Sequence, residues 1–81
     1  MTKLPILSSK EIIKALRSAG FEDAPKRGKG SHTAMVKRSV EGVRLVIIPD
    51  RKSIPRGTLR AIIDQAGMSR NEFINLLSDV S

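Results

Sequence analysis

Residues 31–49 limit the possible folds more than any other part of the sequence, because they predict two neighbouring strands. The second half of this segment, VRLVIIP, is rich in β-branched residues and ends at Pro49, which is typical of a strand. The first half alternates in polarity, and one of its predicted faces consists of His32, Ala34, Val36 and Arg38. A turn is predicted at Glu41 and Gly42. We therefore expect an antiparallel hairpin in the middle of the chain.

A strong helical pattern precedes the hairpin, over residues 7–21. Ser8 and Glu11 have the spacing of a capping box, in which each side chain bonds the backbone N–H of the other residue. Gly20 follows the last turn, where a left-handed residue commonly ends a helix. Apolar residues recur at helical spacing and predict a buried stripe that consists of Ile12, Ile13, Leu16 and Ala19.

Two further helices are predicted after the hairpin. The first is expected to be capped by Thr58 and to end at Gly67. A short second one is expected to begin after Ser69, which has capping-box spacing to Glu72. Between the opening helix and the hairpin, residues 22–30 have room for one short strand. Pro25 cannot donate a ladder hydrogen bond, so any strand in this stretch is interrupted or lies at the sheet edge.

The expected architecture is a single α+β domain over residues 1–81: a three-stranded antiparallel sheet with helices packed on one face, followed by a short C-terminal helix. The chain has two Phe and neither Trp nor Tyr, so the core must be mainly aliphatic. It has no Cys, which excludes disulfides and thiolate metal sites. Residues 1–10 do not resemble a signal peptide, and no apolar run approaches the roughly 20 residues of a membrane span. We therefore expect a soluble, cytoplasmic protein.

The positive charge of the chain is concentrated in its middle. The formal net charge is +7, and residues 26–60 hold ten basic and two acidic residues, which gives this segment a charge of +8. A strong field of one sign attracts polyanions, so nucleic acid is the first candidate partner and an acidic protein the second. A solvated basic face that only aids solubility is the alternative.

The stretch RGKGSHTAMVKR contains the only histidine, His32. Histidine side chains act as bases or acids near neutral pH, so this residue is a candidate for proton transfer. Lys29 could stabilise negative charge on a phosphate, Ser31 could orient the histidine or bind phosphate, and the turn at residues 28–30 could offer backbone N–H groups to phosphate oxygens. The alternative is a half-exposed strand histidine that bonds a neighbour.

Four segments, in this order, resemble the HicA family, the toxin half of bacterial and archaeal toxin–antitoxin pairs: LPILSSKEIIKALRSAGF, KGSH, VIIP and RGTLRAIIDQAGMSRNEFINLL. The resemblance covers almost the whole chain. It implies a fold like the double-stranded-RNA-binding domain and cleavage of mRNA without a metal or cofactor, with His32 as the catalytic residue. It also implies a HicB-type antitoxin that binds the toxin and covers its active site.

Thr33 and Arg51 stand where many relatives of that family carry further histidines, so the group that transfers the second proton stays open. RNA contacts are expected from the basic residues around the motif and after the hairpin, together with one serine: Lys26, Arg27, Lys29, Ser31, Arg51, Lys52, Arg56 and Arg60. Two other functions are compatible with the sequence. One is a non-catalytic RNA-binding module of the same fold, and the other is a DNA-binding helix-turn-helix formed by residues 59–77.

Overall fold

The computed structural model describes residues 4–24 and 32–80. The three strands form one antiparallel sheet in the order β1-β2-β3. The elements along the chain are α1 (Ser9–Ser18), β1 (Glu22–Asp23), β2 (His32–Ser39), β3 (Gly42–Pro49), α2 (Arg56–Ala66) and α3 (Arg70–Val80). The predicted α+β class and the three-stranded antiparallel sheet are confirmed.

The two faces of the sheet differ because successive side chains of a strand point to opposite sides. The face toward the helices carries the fully buried hairpin residues Met35, Val46 and Ile48. The opposite face, which we call the open face, is the one that the alternation of β2 predicted. His32, Ala34, Val36 and Arg38 of β2 lie on this face, and so do Val43, Leu45 and Ile47 of β3. Val36 is nevertheless buried and Ala34 half-buried, whereas the other residues are exposed. The turn of the hairpin is Val40–Glu41, one residue earlier than predicted.

The helices α1 and α2 pack on the buried face of the sheet, α3 packs against these two helices, and all three share one core with the sheet. Burying apolar area in this way is the main favourable term for a chain of this size. The buried helical residues are Ile12, Ala15 and Leu16 of α1, Leu59, Ile62, Ile63 and Ala66 of α2, and Phe73 of α3. The predicted stripe of α1 is therefore correct at two positions. Its other two residues, Ile13 and Ala19, are only partly buried, and Ala15 was missed.

Two capping boxes start helices where the sequence predicted them. At α1, the Ser8 hydroxyl accepts from the Glu11 N–H at 3.2 Å, and Glu11 accepts from the Ser8 N–H at 2.9 Å. At α3, Ser69 accepts from the Glu72 N–H at 3.1 Å, and Glu72 accepts from the Ser69 N–H at 2.7 Å. Each box satisfies two N–H groups that have no partner within the helix.

The predicted start of α2 was wrong, since Thr58 does not cap this helix. The N-cap is Pro55, which makes no side-chain capping bond, and its carbonyl accepts from the Leu59 N–H at 2.9 Å. The chain enters the helix early because Ile54 is held in an antiparallel bridge to Leu7 and the proline ring keeps φ at −58°. The first helical turn can then form without a hydroxyl cap.

The last helix is not short, contrary to the prediction. α3 has 11 residues, as many as α2. Its length follows from its burial: Phe73 is fully buried, and Ile74, Leu76 and Leu77 pack against the same core. The apolar residues of the suspected helix-turn-helix therefore serve the core of the domain.

Gly67 ends α2 in the left-handed conformation with φ of 74°, and the Arg44 guanidinium packs against it. We expect Gly67→Ala to lower the free energy of unfolding by about 1–2 kcal/mol, because an L-residue is strained there and its methyl group displaces Arg44. Gly57→Ala is the matched control. Gly57 lies in the first turn of α2 with open space around it, so this change should raise stability by about 0.4–1 kcal/mol. Urea titration checks both, and equal effects of the two changes would contradict the strain at Gly67.

Candidate functional site

His32 is the first residue of β2 and lies opposite Pro49, the last residue of β3. The Ile47 N–H donates to the Gln65 side chain at 3.1 Å, so it points away from β2. Backbone N–H groups two residues apart in a strand point to the same side, so the nitrogen of Pro49 also points away from β2. Proline has no N–H, but the sheet loses no hydrogen bond between strands at this position. His32 is thus held at the end of a regular strand pair, with its exposed side chain on the open face.

The loop that follows β3 is tied to the start of α1. The Ser9 N–H donates to the Arg51 carbonyl at 2.9 Å, and the Ser9 hydroxyl donates to Asp50 Oδ1 at 3.2 Å. Ser9 is only 4% exposed. These bonds bring the N-terminus of α1 to the end of the sheet where His32 lies.

Sequence reasoning missed Ser9 and Asp50, which are 41 residues apart in the chain. One signal was available: Ser9 precedes Ile12 by three residues and Leu16 by seven, so it lies on the apolar stripe of α1. A polar side chain on such a stripe needs a hydrogen-bond partner when it is buried. The identity of that partner depends on how the loop after β3 folds back.

Two of the predicted RNA contacts lie in the loop after Pro49, the strand partner of His32, and two more lie on α2. Arg51 and Lys52 follow β3 directly and are exposed. Arg56 begins α2, and its Nε donates to the Leu4 carbonyl at 2.9 Å, so this side chain also holds the N-terminal segment. Arg60 is exposed one turn further along the helix. The other predicted contacts lie outside the described residues; they are Lys26, Arg27, Lys29 and Ser31.

Two of the basic residues in the middle segment lie at the opposite end of the sheet and act in the fold. Lys37 Nζ lies 5.8 Å from the centre of the Phe21 ring, beside the C-terminus of α1, and Arg44 packs against Gly67 at the C-terminus of α2. A cation at a helix C-terminus is favourable because carbonyl groups are exposed there. With Glu41 and Glu72 these cations line a cavity of about 230 Å³, where the two signs of charge compensate each other.

At the end of the sheet that carries His32, the arrangement is suited to bind an anionic polymer and to transfer a proton to or from it. The imidazole of His32 is accessible on an open surface, and exposed cations follow the strand beside it. Among residues 4–24 and 32–80, no three His, Cys, Asp or Glu side chains are grouped so that they could hold a metal ion.

Comparison with protein families gives a match to the family described as the HicA toxin of bacterial toxin–antitoxin systems, over residues 9–68. This chain belongs to the HicA toxin family. The matched segment of this HicA toxin begins at the first residue of α1 and ends two residues after α2. It therefore contains the whole hairpin, His32 and the cations that follow β3. A search among curated proteins gave no match.

In the part of the HicA chain that the structure describes, no helix is long and apolar enough to cross a membrane.

Proposed function

We propose that this HicA toxin is the toxic partner of a type II toxin–antitoxin pair and cleaves mRNA in the cytoplasm, with His32 as its catalytic residue. The reaction needs no metal or cofactor, and a HicB-type antitoxin binds the toxin and stops it. One observation carries the proposal: the single histidine lies exposed at a strand end, beside the loop that presents Arg51 and Lys52.

The chemistry requires two proton transfers. A base removes the proton of a ribose 2′-hydroxyl, whose oxygen attacks the adjacent phosphorus. The bond from phosphorus to the 5′-oxygen breaks, and this leaving oxygen takes up a proton. The products are a 2′,3′-cyclic phosphate and a 5′-hydroxyl. His32 supplies one of the two transfers, and water or another group supplies the other.

The cations near His32 supply binding and charge stabilisation. Folded RNA is recognised mainly through its phosphates, its 2′-hydroxyls and its shape, which suits lysine and arginine more than aromatic side chains. Both Phe residues, Phe21 and Phe73, are buried in the core, so neither offers a stacking platform for bases. We assign the RNA contacts to the predicted set: Lys26, Arg27, Lys29, Ser31, Arg51, Lys52, Arg56 and Arg60.

The deciding experiment is digestion of a purified mRNA transcript in the presence of EDTA. We expect fragments that carry 2′,3′-cyclic phosphate and 5′-hydroxyl ends, because those ends record attack by the 2′-oxygen. The non-catalytic RNA-binding module is the other candidate, and it is motivated by Thr33 and Arg51, where a second histidine would have served. Tight RNA binding without any new ends, between pH 5 and pH 9, would favour the module.

The loop after β3 gives a prediction for RNA affinity. Changing both Arg51 and Lys52 to Gln removes two phosphate contacts. The slope of the logarithm of the association constant against the logarithm of the salt concentration should therefore become less negative by about 1.4, at about 0.7 for each phosphate. Binding is measured with the inactive His32→Ala protein, so that the RNA stays intact. Arg70→Gln is the control, because it removes a cation from the first turn of α3, whose Glu72 lines the same cavity as Glu41 of the hairpin turn. If this control changes the slope as much, the contacts are not localised near His32.

A further inference from the structure

The open face of the sheet carries a strip of exposed apolar side chains. Val43, Leu45 and Ile47 of β3 are exposed by 64%, 51% and 40%. On β2, the half-buried Ala34 pairs with Ile47, while Val36, which pairs with Leu45, is buried and adds no exposed surface. We call the three exposed residues Val43, Leu45 and Ile47 the open-face strip. Contiguous apolar surface of this kind is uncommon on a protein that works alone, and it usually marks a binding site.

The open-face strip and His32 share one face of the sheet. His32 is paired with Pro49 at one end of the hairpin, and Arg38 is paired with Val43 near the other end. Side chains of one face stand on the same side of the strands at alternate positions. A molecule that covers the strip therefore extends naturally over His32.

We propose that the antitoxin docks on the open-face strip through an apolar segment with acidic residues at its ends. This inference rests on the proposed function, in which an antitoxin neutralises the toxin by covering its active site. Apolar side chains of the partner bury Leu45 and its neighbours, and carboxylates of the partner meet Arg38 at one end and the cations beside His32 at the other.

Charge and composition favour this occupant over two others. A second copy of the chain would bring another formal charge of +7 to the interface, so electrostatic repulsion disfavours it. RNA gains little from aliphatic side chains, since it is bound through phosphates and through stacking on aromatic rings. A partner with acidic residues around an apolar centre is complementary both to the positive charge of the chain and to the apolar surface of the open-face strip.

The partner is expected to cover the face of the sheet and not to extend it as a fourth strand. The outer edge of β3 is partly closed, because the Gln65 side chain of α2 already accepts from the Ile47 N–H. A strand added at that edge would have to displace this bond. The side chains of the open-face strip, in contrast, are accessible without any rearrangement.

The test is the affinity of a purified HicB-type antitoxin, titrated into the full toxin. Val43→Gln combined with Leu45→Gln should raise the Kd by roughly 30-fold or more, because it removes two central apolar contacts. Val40→Gln is the matched control. Val40 is fully exposed in the hairpin turn, outside the strip, and its replacement should leave the Kd within about 2-fold.

Three results would overturn the proposal: an unchanged Kd in the double variant, a wild-type dimer in sedimentation that the double variant converts to monomer, or a loss of RNA affinity with antitoxin affinity retained. The single variant Leu45→Thr is a second test in case the double variant does not fold. Threonine favours strands, so this variant should stay folded, and its Kd for the antitoxin should also rise. Binding needs no catalysis. Repeating the titration with His32→Ala therefore tests antitoxin docking on the open-face strip independently of whether His32 catalyses RNA cleavage.

Discussion

Replacing His32 with alanine should reduce RNA cleavage by roughly 10²–10⁴-fold, the usual contribution of one positioned acid–base group. The side chain is exposed at the start of β2, so its removal leaves no cavity in the core and the domain should stay folded. The initial rate of cleavage of a labelled transcript measures the first effect, and thermal unfolding followed by circular dichroism measures the second. In cells, the same change should abolish growth arrest.

Two controls make this result specific. His32→Gln keeps hydrogen-bonding capacity but cannot exchange a proton near neutral pH, so it should be as inactive as the alanine variant. Arg38→Ala changes the same strand and the same face at the far end of the hairpin, and its cleavage rate should stay within a few-fold of wild type. Full activity of the alanine variant would exclude His32 as the catalytic residue.

Replacing Phe73 with alanine should cost about 3–5 kcal/mol of folding free energy, the range for removing a buried aromatic side chain. Phe73 is fully buried on α3 and joins the core that α1, α2 and the sheet share. At about 0.05–0.15 kcal/mol per residue, a domain of 81 residues has a stability of only about 4–12 kcal/mol. The variant should therefore be partly or largely unfolded, as urea titration would show.

The leucine variant is the control for Phe73. Leucine stays apolar and fills much of the same space, so we expect a loss of roughly 1–1.5 kcal/mol and a folded protein that still cleaves RNA. Phe73 lies beyond residue 68, where the family match ends. A loss below about 0.5 kcal/mol in the alanine variant would mean that α3 is not part of the cooperative core.

The helix ends show how far local sequence predicts structure. Both capping boxes, at Ser8 with Glu11 and at Ser69 with Glu72, formed as predicted. The bonds of a box join residues only three positions apart, so the sequence pattern contains the whole interaction. The start of α2 was predicted wrongly because its cause is not local. Ile54 is held by a bridge to Leu7, which comes before all three strands in the chain, whereas Ile54 comes after them.

The candidate site divides in the same way. The Gly-Ser-His stretch and the alternation of β2 were enough to single out His32 and to predict which side chains share its face. The bonds from Ser9 to Asp50 and Arg51 were not predictable, because each sequence position offers many polar partners and only the closed loop selects one. The same holds for Lys37 and Arg44, which read as part of a basic surface and instead lie at two helix C-termini.

Periodicity and capping patterns, which act over three or four residues, were thus sufficient for the order of elements, the two capping boxes and the position of His32 on a strand. Contacts between distant segments decided which loop follows the strand beside His32, which cations serve the fold, and that β3 keeps an apolar strip on its open face. The physical reason is that local patterns depend on side chains and backbone within three or four residues of each other. The surroundings of a side chain depend on which distant segments the buried core brings together.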